Sequence, residues 1–186
     1  MSAFAQVENG KAVPNFTLKD SNGSYVALSR YQGKFVVLEW LNYDCPFVMK
    51  HYNSGNMQNL QKTYTGKGVT WLSIISSAPE QQGYYEAADV NRLNAEKKAS
   101  PTAILLDPDG AVGKLYGAQT TPHMFIIDPK GILVYQGAID DIRSTNPDDA
   151  AKAGNYVSAA LDEAMAGKPV STPSTKSYGC SVKYQQ

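Results

Sequence analysis

Cysteine and histidine are scarce in this chain. Its 186 residues hold two of each, Cys45 and Cys180, His51 and His123. Two cysteines permit one disulfide, and their wide separation excludes a local cysteine metal knuckle. Two histidines exclude a His-rich metal tract, though not a mixed site. Net charge is missing too. The 17 Lys and Arg balance the 17 Asp and Glu, so no electrostatic excess steers the chain toward nucleic acid or an anionic membrane. No apolar run approaches the length that crosses a bilayer. There is no internal repeat. The start, Met1-Ser2-Ala3-Phe4-Ala5-Gln6, lacks the charged and apolar regions of an intact signal peptide. Ala3-Phe4-Ala5 reads either as the small-x-small end of such a signal or as an ordinary frayed terminus.

What is present is polar and aromatic. Tyr, Ser, Thr, Asn and Gln are plentiful and charged residues make up only 18%. That composition leans toward a periplasmic or extracytoplasmic protein over a cytoplasmic one. The length supports one domain with a sizeable core.

Short apolar runs set the order of elements. Phe16-Thr17-Leu18 and Tyr25-Val26-Ala27-Leu28 flank an Asn22-Gly23 turn, which predicts a hairpin. Phe35 to Leu41 and Val69 to Ile75 read as buried strands, with one helix from Phe47 to about Tyr64 between them and Gly55 as its weak point. Helix-like content follows from Tyr84, then a strand at Ala103-Ile104-Leu105-Leu106 and a short helix over Ala111 to Tyr116. Met124 to Ile127 and Ile132 to Tyr135 flank Asp128-Pro129-Lys130-Gly131, a second hairpin. Asp148 to Ala166 reads as a helix with Tyr156, Val157, Ala160, Leu161 and Met165 on its buried stripe. The tail from Val170 is rich in Ser, Thr and Pro. Helical crossovers imply parallel pairing and hairpins antiparallel, so a mixed sheet with helices on both faces is expected, an α/β class.

Cys45 stands where the first central strand turns into the first long helix, ahead of Pro46, which suits the first helical position. A thiol there faces free N–H groups and the positive end of the helix dipole, which favour thiolate. Asp44 works against it and a nearby cation would work with it; Arg143 and Lys50 are the candidates. A buried structural cysteine is the alternative reading.

Five segments follow one another in order: Cys45-Pro46-Phe47-Val48, Tyr116-Gly117-Ala118, Thr121-Pro122, Val134-Tyr135-Gln136-Gly137-Ala138-Ile139-Asp140-Asp141, and Gly179-Cys180-Ser181-Val182-Lys183. Together they resemble the peroxiredoxin-like subgroup of redoxin-domain proteins, allied to the alkyl hydroperoxide reductase and thiol-specific antioxidant superfamily, from about Val13 to Lys183. The resemblance implies a thioredoxin-like fold: three layers, α/β/α, a mixed central sheet and an N-terminal β-hairpin extension. The redoxin domain would span residues 1–169, and a tail of residues 170–186 would carry Cys180. It implies a cis Thr121-Pro122 bond beside Cys45, and a thiol-dependent oxidoreductase that needs no cofactor and no metal. The substrate would be a peroxide or a disulfide and the reductant an external thiol; the oligomeric state stays open.

Two departures stand out. A thioredoxin-type dithiol needs a second cysteine three residues after the first, where this chain has Val48. The family's Pro-x-x-x-Thr-x-x-Cys motif would place proline and threonine where Leu38 and Asn42 stand. Asn42 keeps hydrogen-bonding capacity toward a peroxide. Cys180 then has two readings, a resolving partner for Cys45 carried on a flexible tail or a cysteine that anchors the tail. A permanent bond would close a long loop, worth roughly 5 kcal/mol on chain entropy, but would consume the thiol. Arg143 reads as a site cation or a solvated surface residue, and His123, after the proline, as a site contact or an ordinary satisfied group. Other classes remain. One is a thioredoxin-fold scaffold with an inert cysteine. Another is a copper-handling protein with Cys45, Met49, His51 and His123 as soft ligands.

Overall fold

Alternation along the strands decides the architecture. In the computed structural model, which describes residues 6–186, the strand β3 (Val36–Trp40) sends Val37 to one face of the sheet and Val36, Leu38 and Trp40 to the other. All five of its residues are buried, as expected of a strand covered on both sides. Ala3-Phe4-Ala5 lies outside the described residues.

The remaining strands are β1 (Thr17–Asp20), β2 (Tyr25–Ala27), β4 (Thr70–Ile75), β5 (Ala103–Leu106), β6 (Thr120–Thr121), β7 (His123–Ile127), β8 (Leu133–Gly137) and β9 (Cys180–Ser181). Seven of the nine strands among the described residues, β3 included, form one sheet in the order β2-β1-β5-β4-β3-β7-β8. β3, β4 and β5 run parallel, while β7 is antiparallel to β3 and to β8. The N-terminal hairpin adds to the sheet through β1, antiparallel to β5. The helices are α1 (Pro46–Asn53), α2 (Asn56–Thr65), α3 (Ala87–Glu96), α4 (Ala111–Tyr116) and α5 (Tyr156–Met165). α1, α2, α3 and α5 pack on the face that carries Val37, Trp71, Met124 and Ile126. α4 and the N-terminal segment pack on the face of Leu38, Trp40, Ile74 and Phe125. This is the thioredoxin-like three-layer arrangement with a mixed sheet and a hairpin extension.

Two helices are shorter than the sequence pattern predicts. The run from Phe47 to Tyr64 breaks at Gly55, which adopts φ 78 and starts α2 in a new direction. A left-handed residue cannot continue a helix, and glycine alone takes that conformation at no steric cost. Residues 148–166 also divide. Pro147–Ala151 form a 3-10 turn capped by Asn146, and α5 begins afresh where Asn155 accepts the Ser158 amide at 2.9 Å.

The segment after Val170 is packed along the body. The Gln136 amide donates to Pro173 O at 3.1 Å, and the Thr175 amide donates to Gln136 O at 3.1 Å. Gly137 sits at φ +143, and a Cβ there would collide with Thr175. Farther on, Tyr178 and Val182 are buried, and the Ala78 amide donates to Lys183 O at 2.8 Å. The tail therefore crosses the end of the sheet where Cys45 lies.

Candidate active site

Cys45 is the N-cap of α1, with extended dihedrals and Pro46 next to it. Its carbonyl accepts the amides of Val48 and Met49 at 3.0 and 2.9 Å, opening the helix. Its side chain does not cap. The thiol donates instead to the carbonyl of Thr121 at 3.2 Å, and the Thr121-Pro122 bond is cis. Cys45 is fully buried.

Cys180 is the cover. β9 pairs antiparallel with β6, Thr121 opposite Cys180 and Thr120 opposite Ser181. Both cysteines are free. Burial pushes the Cys180 thiol up to about 11, helped by its hydrogen bond to Cys45 and by the Cys45 charge, with Lys183 and the Phe47 amide pulling the other way. The amide at the positive end of α1 thus lowers the Cys180 pKa. Sequence reasoning assigned that positive end to Cys45. No cysteine stands at Val48; the tail instead sets Cys180 opposite Thr121.

Other predicted site residues fall elsewhere. Asn42 is buried, and its Oδ1 accepts the Asp44 amide at 2.9 Å. That oxygen closes a local turn. The Asp44 carboxylate is held by the Tyr85 hydroxyl at 2.6 Å and the Gly83 amide at 3.2 Å. Arg143 is exposed in the loop after Asp140 and lines a surface pocket with Asp141, Tyr156 and Lys176. Lys50 is turned away from the cysteines. Its buried Nζ meets Asp140 Oδ2 at 3.1 Å, Ile142 O at 2.6 Å and the Tyr178 hydroxyl at 3.1 Å. Thr121 Oγ1 is buried with no partner.

The copper arrangement does not assemble. Among the described residues there is no cluster of three or more His, Cys, Asp and Glu placed to hold a metal. Both ring nitrogens of His51 are engaged, by Asn56 at 2.9 Å and by the Tyr178 hydroxyl at 3.3 Å. His123 accepts the Gln119 amide at 3.2 Å and stacks on Phe125.

Sequence reasoning missed Tyr178. Its hydroxyl donates to Asp140, accepts from Lys50, and its ring meets Phe47 edge-on at a centroid distance of 5.8 Å. It ties the residue two before Cys180 to the residue two after Cys45. Asp140 lies in the quoted Ile139-Asp140-Asp141 run, but nothing in that run gives its partner. Glu39 was missed as well. This buried carboxylate accepts from Tyr52, Trp71, Ser73 and Gln61 at 2.6, 2.9, 2.8 and 3.3 Å, and burial raises its pKa.

Residues 9–136 match the AhpC/TSA family. The chain belongs to that family. Thiol-disulfide oxidoreductase ResA of Bacillus subtilis is 28% identical over 69% of this chain and 66% of its own. Peroxiredoxin Q, a chloroplastic protein of Triticum aestivum, is 28% identical over 70% of this chain and 58% of its own. The chain thus spans less than two thirds of the length of both. The crystal structure of an uncharacterized conserved protein from Geobacillus kaustophilus superposes with a TM-score of 0.83 at 28% identity, covering 99% of this chain and 94% of that one. Cys180 lies beyond the AhpC/TSA match, but the superposition extends over the tail. No helix among the described residues is long and apolar enough to cross a membrane.

Proposed function

We propose that the chain is a thiol-dependent oxidoreductase with Cys45 as nucleophile and Cys180 as resolving thiol, and that it acts on disulfides in preference to peroxides. The observation that carries this is the strand pairing that sets Cys180 opposite Thr121, the residue whose carbonyl receives the Cys45 thiol. A dithiol is thereby formed without a Cys-x-x-Cys motif. Cys45 thiolate attacks one sulfur of a disulfide, forming Cys45–S–S–R and releasing R–S⁻. Cys180 loses its proton and attacks the Cys45 sulfur, forming the intrachain disulfide and expelling the second R–S⁻. An external dithiol reduces the protein again.

The preference rests on what surrounds the sulfur. Arg92 is bound to Asp89 and Glu96, and Arg143 is exposed. Asn42 closes its own turn. Neither Asn42 nor these two arginines therefore plays the peroxide-polarising part that the family assigns to threonine and arginine. With a peroxide, Cys45 would form a sulfenic acid and an alcohol, and Cys180 would condense with it, releasing water.

Mass spectrometry of the reduced protein after one equivalent of either oxidant tests this. The disulfide should give Cys45 linked to Cys180 within one chain, faster than hydrogen peroxide does. Cys180→Ser should trap the mixed disulfide on Cys45. Oxidant trapped on Cys180 alone, equally so in Cys45→Ser, would refute the assignment.

A further inference from the structure

We propose that β9 is a built-in strand on the edge a polypeptide substrate would need, so that the resting protein accepts small disulfides and turns away extended polypeptide ones. The inference rests on Cys45 being the attacking thiol.

An open strand edge offers unpaired N–H and C=O groups to any extended chain, and peptides add to such edges through backbone hydrogen bonds. The edge of Thr120–Thr121 ends against Pro122, beside Cys45. A peptide laid along it would carry its sulfur to the nucleophile. In this protein the edge is taken. Cys180 and Ser181 pair with Thr121 and Thr120, and the Val182 amide donates to Gln119 O at 3.0 Å.

The occupancy is built in on three counts. Gly179 adopts φ +142 against the Thr121 carbonyl, where any Cβ would collide with that oxygen. Upstream, Tyr178 is fixed to Asp140 and Lys50. Downstream, Val182 is buried, Lys183 O accepts from Ala78, and the Tyr184 hydroxyl donates to Ala118 O at 2.6 Å. Cys180 is half-buried, and turning its side chain breaks no backbone bond of the β6–β9 pair. A polypeptide strand must first lift β9 from anchors on both sides.

Two reagents with one leaving group separate these routes. They are 2-aminoethyl pyridyl disulfide and an extended decapeptide carrying the same pyridyl disulfide on a central cysteine. Both release thiopyridone on attack, so a rate difference reports approach and not chemistry. In full-length Cys180→Ser, which isolates the first step, the decapeptide should react with Cys45 about tenfold more slowly than the small reagent. Adding Gly179→Ala should cut that ratio to about threefold or less. Tyr178→Phe in the same background, which loosens the anchor without backbone strain, should move it the same way by less.

Equal rates in Cys180→Ser would overturn the proposal. So would a Gly179→Ala chain that accelerates both reagents alike, since β9 would then merely cover the thiol. If neither reagent modifies Cys45 in any of these chains, the nucleophile assignment falls together with the proposal.

Discussion

Cys180 faces Thr121 across an antiparallel strand pair, and the Thr121 carbonyl accepts the Cys45 thiol at 3.2 Å. One residue thus connects the two cysteines, one through its backbone register and the other through its oxygen. Under the proposed function this makes Cys180, on the tail, the second thiol of a pair with Cys45.

Cys180 should alkylate with an unusual pH profile. An ordinary thiol reaches half its maximal rate near pH 8.5 and its plateau about two units higher. Burial first, then the hydrogen bond and charge of Cys45, push Cys180 up to about 11. The iodoacetamide rate at Cys180, read by peptide mass spectrometry, should still be climbing steeply beyond about pH 10.5, where an ordinary thiol has levelled off. Cys45→Ser removes the second and third causes and should shift the curve to lower pH, yet leave it above the ordinary one. A wild-type plateau reached by about pH 10.5 would contradict this.

Lys50 and Asp140 should behave as a buried pair. Both side chains are essentially inaccessible. Lys50→Met leaves the carboxylate without its cation and should cost about 3–5 kcal/mol in urea unfolding. Lys50→Met combined with Asp140→Leu should recover much of that loss, because no lone charge remains. A double variant no more stable than the worse single one would show that the pair is not the source.

Both histidines should make the protein acid-sensitive. Burial lowers His51 and His123 to about 4 each, with Asp140 opposing and Lys50 assisting at His51. The unfolded chain takes up these protons near pH 6.5 and the folded one does not. The stabilisation is therefore complete above about 6.5 and is lost as pH falls toward 4, by roughly 3 kcal/mol per ring at most. The buried carboxyls of Glu39 and Asp107, whose pKa values burial raises, act in the opposite sense. The ring's share is isolated by difference: stability of His123→Phe should fall less steeply than wild type between pH 6.5 and 4. Parallel curves would rule out this origin.

Glu39→Gln should destabilise. The carboxylate accepts from four side chains, and an amide NH2 in its place sets donor against donor. A loss of about 1–3 kcal/mol is expected, read as a lower urea midpoint at unchanged slope.

The layers of the fold were legible because burial periodicity is a local signal. Val36 to Trp40, Thr70 to Ile75 and the Asp128-Pro129-Lys130-Gly131 hairpin lie within a residue or two of where the pattern puts them. Helix ends were less legible. Gly55 reads as a weak point, but whether a glycine bends or stops a helix depends on what its φ is required to be. At the site, the sequence supplied Cys45 at a strand-to-helix turn, Thr121-Pro122 ahead of a strand, and Cys180 in a tail whose composition also fits a passive segment.

The sequence by itself determined the kinds of group available: two thiols, no cysteine at Val48, no threonine at Asn42, and Gly179 before Cys180. It could not determine neighbours. Tyr178 meets Asp140 and Lys50, and Cys180 meets Thr121, only after the chain has folded, because these contacts join residues far apart in sequence and leave no periodicity behind. Only the tertiary structure decided that the tail lies on the edge beside Cys45, since that depends on the close backbone approach that Gly137 and Gly179 permit.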